Sequence, residues 1–83
     1  MTYHVYILRC RDGSYYTGYA KYLRRRIEEH EKGQGARYTR IHKPEKVVYV
    51  EEFDSRGGAM KREREIKSFS HSQKERLVSR VQV

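Results

Sequence analysis

Residues 4–20 read HVYILRCRDGSYYTGYA, and this stretch predicts a β-hairpin. β-Branched and aromatic residues are concentrated in Thr2 to Arg9 and again in Tyr15 to Ala20, as is typical of strands. Arg11-Asp12-Gly13-Ser14 lies between them and is a turn sequence. The stretch holds four of the eight tyrosines of the chain, which either pack on the sheet or also serve chemistry.

The length of the turn decides which tyrosines share a face of the hairpin. A two-residue turn at Asp12-Gly13 would place Tyr6 and Tyr16 on opposite faces. A three-residue turn, with Gly13 in the left-handed conformation, would place both on one face, one diagonal step apart. Tyr15 and Tyr19 would then lie on the other face and pack. Chemistry that uses Tyr6 and Tyr16 together requires the three-residue turn, whereas packing accepts either.

The rest of the chain predicts a small α+β domain spanning residues 1–83. Helices are expected over 21–32, 56–69 and 73–80, and a third strand over 46–53. The order β-β-α-β-α-α predicts an α/β (α+β) two-layer fold, in which a small three-stranded, mainly antiparallel sheet packs against three helices. One domain is expected because 83 residues are too few for two ordinary cores.

Three local features refine these elements. Leu23 and Ile27 are predicted to form the core stripe of the first helix, with Glu29 facing outward. Residues 33–44, GQGARYTRIHKP, are predicted to be a basic loop. Ser72-x-x-Glu75 matches a capping box and predicts the start of the last helix.

The charge of the chain favours a polyanionic partner. With 19 Lys and Arg against 11 Asp and Glu, the net charge is +8. Nucleic acid is preferred over an anionic membrane as that partner, and charge that serves solubility alone is the alternative. The single cysteine, Cys10, excludes an intrachain disulfide and a cysteine zinc site. It suits a reducing cytosol, so a cytoplasmic protein is expected, and no apolar stretch suggests a membrane partner.

Two predicted helices carry candidate site residues. Arg26 and His30 are four residues apart and share a face beside the core stripe, where they either point into a cleft or lie exposed. Glu63 falls in the middle of the apolar stripe of the helix over 56–69. A carboxylate there is costly unless it is paired or bound to a cation. Either an ion pair with an arginine such as Arg26 or a role as a ligand for Mg²⁺ is therefore expected.

The predicted basic loop offers a candidate nucleic-acid surface. Arg37, Arg40 and Lys43 provide cations for phosphate contacts, and Tyr38 provides an aromatic ring on which a base could stack. This combination is enough for weak, salt-sensitive binding.

Taken in order, Tyr6, Tyr16-x-Gly18, Arg26, His30 and Glu63 resemble the GIY-YIG nuclease domain over essentially the whole chain. His4-Val5-Tyr6 corresponds to the first motif of that family and Tyr16-Thr17-Gly18 to the second. His4 stands where the family name has glycine, which is the one departure of note. In size and loop sequence the chain most resembles a single-domain bacterial branch of the family.

The resemblance implies a divalent-metal-dependent endonuclease that hydrolyses phosphodiester bonds, with DNA preferred over RNA as the partner. It implies that Tyr6 acts as general base or orients the water, with Tyr16 supporting the site and His30 assisting Tyr6. Arg26 would grip the scissile phosphate, and Glu63 would hold Mg²⁺ or another divalent cation. Gly18 would join the loop residues in contacting nucleic acid.

Two other interpretations stay open at this point. The chain could be a basic nucleic-acid-binding module of the same fold with little or no cleavage activity, or a structural or protein-interaction domain. Isolated domains of this family usually need an attached DNA-binding domain to choose a target. Any cleavage is therefore expected to be directed by nucleic-acid structure or by a protein partner that supplies specificity.

Overall fold

The computed structural model describes residues 1–81 of the chain, which form three strands and four helices. The strands are β1 (Tyr3–Cys10), β2 (Tyr15–Ala20) and β3 (Pro44–Phe53). The helices are α1 (Leu23–Glu31), α2 (Arg37–Ile41), α3 (Arg56–Lys67) and α4 (His71–Val81). The predicted α+β class and the antiparallel three-stranded sheet are confirmed. The additional element is α2, which lies in the segment predicted as a loop.

The hairpin formed by β1 and β2 has the three-residue turn. Cys10 N–H donates to the Ser14 carbonyl at 2.8 Å, and Gly13 N–H donates to the Cys10 carbonyl at 2.9 Å. Gly13 has a φ of +86°, a left-handed conformation that glycine adopts without a steric penalty. In this register Tyr6 pairs with Gly18 across the strands. Tyr16 pairs with a residue two positions from Tyr6, so the two phenols share one face.

The sheet has the strand order β2-β1-β3. Apolar side chains of β1, α3 and α4 form the main core on one face, and these include Val5, Ile7, Ala59, Ile66 and Val78. Tyr15 and Tyr19 pack against that core. Tyr6 points to the opposite face because side chains alternate along a strand, and His30 of α1 is buried against it. Helices α3 and α4 thus pack on one face of the sheet, and His30 of α1 packs against Tyr6 on the other face.

The first helix, α1, is docked through a polar residue rather than through its apolar stripe. Within α1, whose residues 23–31 are all described, only His30 is fully buried. Leu23 and Ile27 are half-buried, so the prediction that they form the core stripe is wrong. The physical reason is that both ring nitrogens of His30 find hydrogen-bond partners, Tyr6 and Thr39, so its burial leaves no ring nitrogen unpaired. Among residues 1–81, no helix is long and apolar enough to cross a lipid bilayer.

Side-chain hydrogen bonds explain the first turn of α2 and the start of α4. Thr39 Oγ1 donates to the Ala36 carbonyl at 3.0 Å and accepts from the Ala36 N–H at 3.3 Å. Before α4, Ser70 N–H donates to Gln73 Oε1 at 2.8 Å, and Gln73 N–H donates to Ser70 Oγ at 3.2 Å. The capping box is thus Ser70-x-x-Gln73, and the predicted box at Ser72-x-x-Glu75 is wrong by two residues.

Candidate active site

Five of the predicted site residues line one cavity of about 460 Å³: Tyr6, Tyr16, Gly18, Arg26 and Glu63. They come from four different elements, namely β1, β2, α1 and α3. His30 lies behind Tyr6, away from solvent. The structure therefore brings together the phenols, the guanidinium and the carboxylate that the sequence singled out.

The Tyr6 hydroxyl is the most deeply placed polar group of the cavity. The residue is 0% exposed, and its Oη lies 2.7 Å from His30 Nε2. Burial raises the pKa of the Tyr6 phenol above its ordinary value, and the nearby Tyr16 phenol adds to the rise, while Arg26 opposes it. The hydroxyl is therefore protonated at neutral pH, and an anionic Tyr6 is not the resting form.

His30 is a buried imidazole with partners on both ring nitrogens. Its Nδ1 lies 2.8 Å from Thr39 Oγ1, opposite the bond to Tyr6. Burial lowers the pKa of His30 from its ordinary value near 6.5 to about 4, and the positive charge of Arg26 lowers it further, with Glu29 opposing. The ring is consequently neutral at neutral pH and has one nitrogen free to accept a proton.

His30 should make the stability of the fold pH-dependent. Its folded pKa of about 4 lies below the ordinary value near 6.5, so the unfolded chain binds more protons between these pH values. The free energy of unfolding should be fully retained above about pH 6.5 and fall by about 3 kcal/mol as the pH drops toward 4. Urea denaturation of wild-type protein and His30→Gln at about pH 7 and about pH 4.5 measures this change. The difference between the two proteins removes the contribution of the carboxylates, which both share. The same pH dependence in both proteins would contradict the shift.

Two glycines allow the backbone to pass close to the buried side chains of Tyr6 and His30. A Cβ atom at Gly18 would lie 2.6 Å from Tyr6 Oη, and a Cβ atom at Gly35 would overlap His30 Nδ1. Both distances are too short for a methyl group, so a side chain at either position would push Tyr6 or His30 out of place. Gly18 was predicted among the nucleic-acid contacts, and it lines the cavity beside Tyr6.

Arg26 and Glu63, whose ion pair was one of the two alternatives for Glu63, each pair with another residue of their own helix. Arg26 Nη1 donates to Glu29 Oε1 at 3.0 Å. Glu63 Oε2 lies 3.6 Å from Lys67 Nζ, on the same helix. The prediction that Glu29 faces outward is wrong, because Glu29 lines the cavity. Its spacing of three residues from Arg26 is the sequence signal for the bond between the two side chains.

Glu63 fits the requirements of a Mg²⁺ ligand. Within residues 1–81, no group of three or more His, Cys, Asp or Glu side chains is arranged to enclose a metal ion. Mg²⁺ does not need such a group, because it keeps several waters and binds through one or two carboxylates together with substrate phosphates. The Glu63 side chain is 19% exposed on the cavity wall, so its carboxylate is accessible from the cavity while its helix holds it in place.

Among the predicted nucleic-acid residues of α2, Tyr38 adjoins the cavity. Arg37, Tyr38 and Arg40 are exposed, and Lys43 is exposed just after the helix. The Tyr38 ring stacks 5.9 Å from the ring of Tyr16, which lines the cavity. Thr39, on the inner side of the same helix, was not singled out from the sequence. A five-residue helix has too few positions to show a hydrophobic period that would reveal its buried side.

Comparisons with known proteins agree with this architecture. Residues 2–76 match the model of the GIY-YIG catalytic domain. A UPF0213 protein of Staphylococcus saprophyticus is 53% identical over 76 residues, which cover 92% of this chain and 93% of the relative. A UPF0213 protein of Natronomonas pharaonis is 51% identical over 76 residues, covering 92% and 89%.

A solved structure has the same fold. The solution NMR structure of a UPF0213 protein from Bacillus halodurans aligns with a TM-score of 0.64 at 47% identity, covering 98% of this chain and 86% of that chain. The family match extends from the first strand into α4, and so includes both tyrosine motifs, Arg26 and Glu63. The chain therefore belongs to the GIY-YIG family, whose catalytic domain implies nuclease-type activity.

Proposed function

We propose that this protein is an endonuclease that hydrolyses phosphodiester bonds, with DNA as its preferred substrate and a divalent cation bound at Glu63. The observation that carries the proposal is the convergence of Tyr6, Arg26 and Glu63 on one cavity, with a neutral histidine hydrogen-bonded to the Tyr6 hydroxyl. Hydrolysis requires an acceptor for the proton of the attacking water and positive charge around the phosphate. The cavity offers both within one small volume.

Arg26 is the group that would hold the scissile phosphate. Its contact with Glu29 uses Nη1, and a guanidinium carries five N–H donors in a planar fork. Donors are thus left over for phosphate oxygens, which Arg binds well in a bidentate manner. Glu29 keeps the guanidinium oriented along the cavity wall.

Tyr6 and His30 would take the proton of the attacking water. As the water oxygen bonds to phosphorus, its proton moves to Tyr6 Oη while the phenolic proton passes to His30 Nε2. The bond between phosphorus and the leaving oxygen breaks, and that oxygen takes a proton from solvent. The high pKa of Tyr6 requires such a coupled transfer, because a free phenolate would not form at neutral pH.

Substrate binding would make His30 a better base. The positive charge of Arg26 is one cause of the low pKa of His30. A phosphodiester bound to Arg26 brings a negative charge that offsets this effect, so the pKa of His30 should rise when the site is loaded. The imidazole then accepts a proton more readily where substrate is present.

Glu63 would hold the divalent cation, whose charge stabilises the negative charge that develops on the phosphate and leaving oxygens. Its ion pair with Lys67 does not block this role, because the Lys67 side chain is 51% exposed and can move away without burying a charge. The exposed cations of α2 and Lys43 would contact the nucleic-acid backbone beyond the cavity.

Arg26→Ala should lower the rate of Mg²⁺-dependent DNA cleavage by about 10²-fold or more, because it removes the donors to the phosphate in the transition state. The measurement is single-turnover cleavage of labelled branched, nicked and single-stranded DNA. Arg24→Ala is the matched control: it removes the same charge from an exposed position of α1 outside the cavity and should stay within about twofold of wild type.

Other outcomes would point elsewhere. An equal loss in both variants would mean that Arg26 acts only through net charge. Wild-type protein that binds DNA at low salt and cuts no substrate would be a nucleic-acid-binding module and would overturn the proposed hydrolysis.

A further inference from the structure

A chain of buried hydrogen bonds continues from the proposed reaction site into α2. Tyr6 Oη lies 2.7 Å from His30 Nε2, and His30 Nδ1 lies 2.8 Å from Thr39 Oγ1. Thr39 Oγ1 is in turn 3.0 Å from the carbonyl oxygen of Ala36. Tyr6 and His30 are 0% exposed and Thr39 is 2% exposed, so water does not compete for these bonds.

The last bond fixes the direction of all the others. A carbonyl oxygen only accepts, so the bond between Thr39 and Ala36 uses the single hydroxyl proton of Thr39. Thr39 Oγ1 therefore meets His30 as an acceptor, which requires a proton on Nδ1. The Ala36 N–H also donates to Thr39 Oγ1, at 3.3 Å, so toward this N–H the hydroxyl oxygen is an acceptor as well.

The second ring nitrogen of His30 follows from the first. His30 is neutral at neutral pH because burial lowers its pKa to about 4, and a neutral imidazole carries one proton only. With that proton on Nδ1, Nε2 holds a free electron pair. The Tyr6 hydroxyl must then donate to Nε2, and this is the direction in which the phenolic proton would move during hydrolysis.

We propose that Thr39 is a positioning residue that holds His30 as the Nδ1–H tautomer, so that Nε2 is set to accept the phenolic proton of Tyr6. The catalytic consequence rests on the proposed nuclease function, whereas the tautomer does not. The same short helix carries exposed Arg37 and Arg40 on its outer side, so the element that would contact nucleic acid also sets the base.

The surroundings of the imidazole fix its position and that of the Thr39 hydroxyl. The backbone at Gly35 passes so close to His30 Nδ1 that a Cβ atom there would overlap the ring. Oγ1 of Thr39 also bonds both the N–H and the carbonyl of Ala36, so the hydroxyl cannot rotate away without breaking the first turn of α2.

The test compares Thr39→Val, which has the same shape without the hydroxyl, with Thr39→Ser, which keeps it. The ¹⁵N shifts and proton couplings of the His30 ring at neutral pH report which nitrogen carries the proton. We expect the Nδ1–H form in wild type and Thr39→Ser. In Thr39→Val the Nδ1 proton loses its acceptor, so the ring should change to the Nε2–H form and Tyr6 should become the acceptor.

Cleavage rates give the second measurement. Thr39→Val should lower kcat by about 10²-fold with little change in KM, since it affects proton transfer and not the phosphate contacts. Thr39→Ser keeps the hydroxyl and should stay within about threefold of wild type. The tautomer of His30 in Thr39→Val, together with its unchanged KM, separates a misplaced proton from a loss of α2 structure. Nδ1–H retained in Thr39→Val, or Nε2–H found in wild type, would overturn the proposal.

The proposal and the function on which its consequence rests can fail separately. If the tautomers are as expected but wild-type protein cleaves nothing, the nuclease function fails and the tautomer assignment stands. Should Thr39→Val not fold, the wild-type tautomer alone still decides, because Thr39 as donor to His30 would leave the proton on Nε2.

Discussion

Replacing Glu63 with glutamine should remove Mg²⁺-dependent cleavage, with a rate at least about 10²-fold below wild type. The amide has nearly the same shape but lacks the negative charge that a hard cation prefers. Glu63 reaches the cavity from the middle of α3, between the buried residues Ala59 and Ile66, so its position is set by the packing of the helix. The loss of the Glu63–Lys67 pair should change the free energy of unfolding by less than about 1 kcal/mol, because that pair is partly exposed.

The matched control for this variant lies two residues further along α3. Glu65 is exposed, lies outside the cavity and pairs with Arg62. Glu65→Gln removes the same charge from the same helix and should leave cleavage within about twofold of wild type. Cleavage by Glu63→Gln at the wild-type rate, measured over a range of Mg²⁺ concentrations, would exclude Glu63 as the cation ligand.

Tyr6→Phe should lower the cleavage rate by about 10²-fold to 10⁴-fold, which is the range that general base catalysis contributes. The substitution deletes only the hydroxyl and leaves His30 Nε2 buried without its partner at 2.7 Å. That unpaired nitrogen should also lower the free energy of unfolding by about 1–3 kcal/mol. Single-turnover rates and urea denaturation measure the two effects separately.

Tyr15→Phe is the control within the same hairpin. Tyr15 lies on the opposite face, packs against the main core and stacks on His71 with ring centroids 5.0 Å apart. Loss of its hydroxyl should leave the cleavage rate within about twofold of wild type. A cleavage rate for Tyr6→Phe as high as that of Tyr15→Phe would mean that Tyr6 only packs.

The hairpin could be predicted from the sequence, but its register could not. Asp12-Gly13 suits a two-residue turn, and the same Gly13 suits the left-handed position of a three-residue turn. The observed turn adds hydrogen bonds from Ser14 N–H and Oγ to Asp12 Oδ1, at 3.1 and 2.6 Å. These local bonds distinguish the two turns, and they place Tyr6 and Tyr16 on one face.

The errors on α1 and α2 have a common cause. Hydrophobic periodicity locates apolar faces, and α1 instead buries His30, a polar residue whose partners are 24 and 9 residues away along the chain. Such a contact depends on tertiary structure, so Leu23 and Ile27 looked like the better core candidates. The inner position of Thr39 could not be predicted for the same reason.

The one departure from the family pattern is accommodated by the sheet. His4 stands in the central strand, paired with Ala20 on one side and Glu52 on the other. Its Nε2 lies 3.7 Å from a carboxylate oxygen of Glu52. The backbone pairing of β1 therefore continues through this position, and Tyr6 two residues later keeps its place.

Cleavage by the wild-type protein itself is the decisive measurement. Purified protein is incubated with labelled branched, nicked and single-stranded DNA, once with Mg²⁺ and once with a chelator, under single-turnover conditions. The proposed site predicts new phosphodiester ends that appear only with Mg²⁺. Cleavage that persists in the chelator would contradict the role of Glu63, and the absence of any cleavage despite DNA binding would contradict the nuclease itself.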